Sequence, residues 1–135
     1  MNARSVLLAL LCGGGVATLG CSSAEKPVAG ELEVRLATPN TDDRALLLRV
    51  AGKQTAVTAP AASGYQVHVA PLLADTVRVL VMAPAGQHIP AGAVLRLTVP
   101  DTRQVDSYAA RALDVASTTY AQRAVSGYTL TVVKP

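Results

Sequence analysis

Thr76-Val77-Arg78-Val79-Leu80-Val81-Met82 decides the fold class. Valine takes every second place, and a period of two is what a strand shows when one face meets a core. Upstream, Tyr65-Gln66-Val67-His68-Val69 alternates in the same way, and Ala61-Ala62-Ser63-Gly64 before it reads as a loop. Gln54 to Ala59 reads as a short edge strand ended by Pro60, since proline donates no hydrogen bond to a ladder. Ala45-Leu46-Leu47-Leu48-Arg49-Val50 is apolar at both parities, which predicts a more buried strand, turned by Ala51-Gly52-Lys53. Glu31-Leu32-Glu33-Val34-Arg35-Leu36 sets aliphatics on one face and charges on the other.

Downstream, Pro84 to Gly92 is a Pro/Gly loop, and Ala93-Val94-Leu95-Arg96-Leu97-Thr98-Val99 is a strand closed by Pro100-Asp101. Val105 to Val115 reads as a long strand, with a helix as the open alternative because Ala109 to Leu113 are good helix formers. Thr118 to Val125 holds a helical turn or a loop, and Gly127 to Val133 closes the chain with Tyr128, Leu130 and Val132 on one face. Seven to nine short strands with turn signals between them predict an all-β fold, an antiparallel β-sandwich following an N-terminal signal segment. In chain order the expectation is a leader over 1–20, a flexible tether over 21–30 and the sandwich over 31–135.

Composition narrows the chemistry. Of 135 residues half are apolar, yet Phe and Trp are absent and Tyr occurs four times, so Val, Leu and Ala must fill the core. The lack of aromatic platforms argues against a sugar cleft or single-stranded nucleic acid binding. The net charge is +3, from 12 basic and 9 acidic residues interleaved along the chain. No run of like charge suggests a nucleic-acid groove or a polybasic patch.

The two cysteines, Cys12 and Cys21, both precede residue 22, so the predicted domain has no thiol for catalysis or zinc. Met1 to Arg4 is a short basic n-region, Ser5 to Cys12 is apolar at signal-peptide length, and Val16 to Ser23 is a small-residue approach to Cys21. Leu19-Gly20-Cys21 resembles the end of the bacterial lipobox, although Thr18 stands where that family usually has leucine. The resemblance implies a diacylglyceryl group on the Cys21 thiol, cleavage before it and acylation of the new amino terminus, palmitate being the usual chain. Ser22-Ser23 resembles the sorting context for the outer membrane, which places the protein at the bacterial cell envelope, facing the periplasm or the cell surface. Several acyl chains hold a protein lastingly, whereas one does so only marginally.

Leu32 to Leu36, Gly64 to Val69, Ile89 to Val99 and Gly127 to Val132 together resemble the cohesin-like β-sandwich modules of bacterial surface proteins. That resemblance implies a sandwich that works by contact, and no binding residue is carried over from it.

No catalytic motif appears. His68 lies on the polar face of its strand and His88 in a loop. Ser63-Gly64 and Ser126-Gly127 each precede a tyrosine that opens a strand, as turns do, and neither sits in a nucleophile elbow. Thr38-Pro39-Asn40-Thr41-Asp42-Asp43 lacks the spacing of a calcium loop and reads as a solvated turn. Tyr65 and Tyr128 are expected to cap the core, while Tyr108 and Tyr120, with Arg111 and Arg123 in the same region, are the expected interface residues.

The sequence therefore predicts a membrane-anchored envelope lipoprotein whose domain is a non-enzymatic interaction or structural module. Its expected partners are the membrane, through the anchor, and an envelope or cell-surface protein, with no cofactor, no metal and no nucleic acid. A carrier of a small apolar ligand is the alternative and needs a solvent-open cavity between the sheets. A small hydrolase would need two of His68, His88, Asp75, Asp101, Asp106 and Asp114 to meet in a cleft.

Overall fold

Alternation at 76–82 becomes burial: Val79 and Val81 are fully buried, Val77 packs beside them, and Arg78, Leu80 and Met82 face outwards. The structure, a computed structural model, describes residues 24–135, and Cys12 and Cys21 lie outside the described residues. Among the described residues nine strands follow one another: β1 (Gly30–Ala37), β2 (Asp43–Ala51), β3 (Ala56–Thr58), β4 (Gln66–Leu73), β5 (Thr76–Met82), β6 (Gly92–Val99), β7 (Ala109–Ser117), β8 (Gln122–Arg123) and β9 (Thr129–Val133). They form a four-stranded sheet in the order β3-β6-β1-β9 and a five-stranded sheet in the order β4-β5-β2-β7-β8, with every pairing antiparallel. The chain is an all-β sandwich.

The core is the sum of the inward parities. Leu32, Val34 and Leu36 of β1 and Val94, Leu95, Leu97 and Val99 of β6 meet Leu46, Leu48 and Val50 of β2 and Val79 and Val81 of β5. Each fully buried aliphatic contributes about 1.5–3 kcal/mol. A bulge between Val34 and Arg35 lets consecutive Val94 and Leu95 both face inwards. A second bulge, between Leu47 and Leu48, shifts β7 against β2.

The long strand expected over 105–115 starts later. Thr102–Ser107 is a 3-10 turn, capped by Asp101, whose carboxylate accepts from the Arg103 N–H, and the extended chain begins at Ala109. This turn carries the chain from the end of β6 in one sheet to the start of β7 in the other. Tyr108 fills the corner. It is 8% exposed and its hydroxyl donates to the Lys53 carbonyl at 2.5 Å. Its ring lies on Gly52 (φ 124), where a Cβ would come within 2.3 Å of the ring. The expectation of Tyr108 as an exposed contact is thereby corrected: a tyrosine spans the corner because its ring seals the core while its hydroxyl meets a carbonyl. Tyr65 and Tyr128 pack against the core as expected.

Candidate functional site: the outer face of the five-stranded sheet

Strand register places residues in rows across β4, β5, β2 and β7. The row nearest the β4–β5 turn is Leu73, Thr76, Ala51 and Ala109. The next on the same face is Ala70, Arg78, Arg49 and Arg111, then His68, Leu80, Leu47 and Asp114, then Gln66, Met82, Ala45 and Ala116. Arg78, Arg49 and Arg111 thus sit directly opposite one another on three neighbouring strands. Strands lie about 4.8 Å apart, so like charges there repel. None of these arginines forms an ion pair among the described residues, whereas Arg35, Arg96, Arg103 and Arg123 all do.

Beside this row Leu47 and Leu80 stand between His68 and Asp114. Leu47, Leu80, Ala45, Ala116 and Asp114 line one open hollow, and Arg49, Ala51, Ala109 and Arg111 line a second. A third lies by Met82, Pro84, Arg44 and Tyr120. These hollows are on the outside of the sheet. The space between the sheets is filled by Leu, Val and Ile side chains with no exposure, which leaves the apolar-carrier reading without the cavity it needs.

The four expected interface residues do not form one cluster. Arg111 stands in the arginine row and Tyr120 at the rim near the opposite end of β7; Tyr120 is 72% exposed and carries the Arg44 guanidinium at 5.4 Å from its ring centroid. Tyr108 is in the corner. Arg123 belongs to a structural network: it pairs with Asp42, accompanies Asp43 at 3.5 Å and donates to the Asn40 side chain at 3.2 Å. Pro39 and Thr41 of the expected solvated turn are exposed, but its last residue, Asp43, is fully buried at the start of β2. Its carboxylate accepts from Tyr128 at 2.6 Å and Thr38 at 2.7 Å, which meets the demand of a buried charge for hydrogen-bond partners. Burial, then the bond to Asp43, pushes the Tyr128 hydroxyl up from its ordinary pKa.

At the other end of the sandwich, Asp101 ties the approach to β1. It accepts from the Val28 N–H at 3.2 Å and from Arg103 at 3.0 Å, and Arg103 also holds the Glu25 carboxylate at 2.8 Å. The Arg103 guanidinium holds the Asp101 carboxyl far below the usual carboxylate range, helped by the two backbone N–H groups and opposed by desolvation. Within the expected tether, residues 25 and 28 are therefore fastened to the domain.

The carboxylate and histidine candidates for hydrolysis do not form one cluster: Asp75, Asp101 and Asp106 are at the tether end, away from the two histidines. Asp101 is taken up by Arg103, Asp114 accepts from Gln122 and from its neighbour's N–H, Asp75 is in the β4–β5 turn, and His68 and His88 are exposed. Among the described residues no three His, Cys, Asp or Glu side chains gather to hold a metal ion.

Sequence reasoning missed Arg49, Arg78, Leu47 and Leu80. A signal was present in 45–50, where apolar residues occupy both parities of a strand, so its outward face had to be apolar too. The arginine row was invisible because its members are far apart in sequence and only register aligns them. No protein-family model, no curated protein and no solved structure matches this chain.

Proposed function

We propose that this protein is a lipid-anchored envelope protein, held through Cys21, whose sandwich works by contact and performs no chemistry. The observation that carries the contact role is the outer face of β5-β2-β7, where Leu47, Leu80 and Met82 are apolar beside three unneutralised arginines. Apolar patches rimmed by charge are where soluble domains meet partners. The occupant of that apolar part is an envelope protein, with Tyr120 stacked by Arg44 as a rim anchor.

The anchor rests on Leu19-Gly20-Cys21 and on the apolar leader before it. Among the described residues no helix is long and apolar enough to cross a membrane. The membrane attachment we assign is a lipid on Cys21. Fractionation of cells carrying the wild-type chain or Cys21→Ala tests it. The expected result is a wild-type chain in the membrane fraction with a diacylglyceryl adduct in its mass, and loss of both in the variant. An unmodified Cys21 in the membrane-bound chain would overturn the anchor.

A further inference from the structure

The tether leaves the sandwich at one particular end, and that end has its own chemistry. Val28 and Thr102 bond to each other there, the 3-10 turn crosses there, and Gly52 donates to the Asp75 carbonyl at 2.8 Å, so the β4–β5 turn belongs to the same end. The tip of that hairpin carries two exposed leucines beside Asp75: Leu73 is 65% exposed, and Leu72 precedes it. Val28 is exposed at the same end, on the approach to β1. One row back from the tip stand Arg78, Arg49 and Arg111. Lys26, Lys53 and Lys134 are exposed at this end as well; the acids here without an arginine partner are Asp75 and Asp106. Basic side chains set behind an exposed apolar tip are the makings of a membrane-surface contact, because long cationic side chains reach the phosphates while the tip enters the interfacial layer.

We infer that this end of the sandwich docks directly on an anionic phospholipid surface, with Leu72 and Leu73 entering the interface and the Arg78–Arg49–Arg111 row taking lipid phosphate. The orientation rests on the Cys21 anchor proposed above; the binding chemistry does not. Since Arg103 fastens Glu25, residues 21–24 alone separate the anchor from the docked chain. At about 3.5 Å per extended residue they reach at most about 14 Å, which keeps this end and not the opposite one at the bilayer. Like charges stacked across a sheet repel, and a phosphate between them removes that cost, so the row itself favours an anion. A basic contact at this end adds to the hold of acyl chains that are lasting by themselves. It also fixes which way the apolar rows of the sheet face.

The chain has no tryptophan, so L73W and T131W each supply a sole reporter, one on the hairpin tip and one on the outer face of the other sheet. The full chain is mixed with phosphatidylcholine vesicles, with and without phosphatidylglycerol. The expected result is a blue shift of the L73W emission that requires phosphatidylglycerol and is lost at high salt, with no shift for T131W. In the L73W background, R49Q/R111Q should weaken binding to the anionic vesicles by about thirtyfold, at about 1 kcal/mol for each basic residue. These substitutions remove repulsion, and an unchanged thermal midpoint or a higher one confirms that the variant folds. A solvent-like L73W spectrum with anionic vesicles, equal shifts at both reporters, or full binding by R49Q/R111Q would overturn the inference. The mass at Cys21 reads the anchor separately: a chain without the adduct ends the anchor proposal, while the phosphatidylglycerol-dependent part of the L73W shift still decides the docking.

Discussion

The two outer faces of this sandwich carry similar residue types arranged in opposite ways. On the four-stranded sheet, Arg96 meets Glu31 at 3.1 Å and Glu33 at 3.9 Å, and Arg35 meets Glu33 at 3.7 Å. Threonines 98, 129 and 131 belong to the same strands. On the five-stranded sheet, Arg78, Arg49 and Arg111 face one another with no acid between them, and leucine, methionine and alanine predominate in the neighbouring rows, which also hold His68 and Asp114. The first face satisfies itself and asks only for water. The second stores repulsion and exposes apolar area, neither of which helps the fold, and this is the face we propose for contact. The inner faces of the two sheets show no such difference; both are plain aliphatic.

The sharpest break between inner and outer faces lies between neighbours on β2. Leu48→Ala, in the sealed core, should lower the stability read by urea unfolding by about 3 kcal/mol. Leu47→Ala, one residue earlier on the outer face, should cost less than about 1 kcal/mol, since part of that side chain is already in water. Equal losses would mean that the outer face is part of the core. At the corner that joins the sheets, Tyr108→Phe should cost about 1 kcal/mol, because the Lys53 carbonyl loses its donor while the ring still packs.

Charge removal should have opposite signs on the two faces. Arg49→Gln relieves two like-charge neighbours and should stabilise by about 0.5 kcal/mol. Arg96→Gln strips Glu31 and Glu33 of their partner and should destabilise by about 0.5 kcal/mol. Added salt should shrink both effects, since it screens exposed charges. A pH effect is expected at the tether end. The folded Asp101 carboxyl titrates below its unfolded value of about 3.9, so its stabilisation is present above that pH and is lost as pH falls further. Asp101→Asn should therefore melt below the wild type at neutral pH, and the gap should begin to narrow near pH 4 and shrink steadily as the pH falls further.

Much of the fold was legible because two-residue periodicity is a local property. The strands at 31–36, 45–50, 76–82 and 93–99, the edge strand after Gly52 and the proline-bounded loops follow from it directly. Residues 102–108 were not legible, since a 3-10 turn and a corner tyrosine are set by the crossing between sheets and not by any local pattern. The same limit hid the site. Arg49, Arg78 and Arg111 look like scattered outward charges in three strands, and only the register of β5-β2-β7 makes a row of them. Tyr120 and Arg111 were legible as outward residues, whereas Arg123 is drawn into the Asp42 and Asp43 network by a loop closure that sequence does not encode locally. Asp43 itself reads as a turn acid until Tyr128, 85 positions away, is brought to its carboxylate.

In our proposal the outer face of the five-stranded sheet is the working surface of an anchored protein. A photo-crosslinking side chain placed at Leu47, and separately at Thr131, in chains that retain Cys21 in intact envelopes compares the two faces in one measurement. The expected result is a discrete protein adduct from position 47 that survives denaturation, with none from 131. Adducts from 131 alone, the same adducts from both positions, or none from 47 would contradict it.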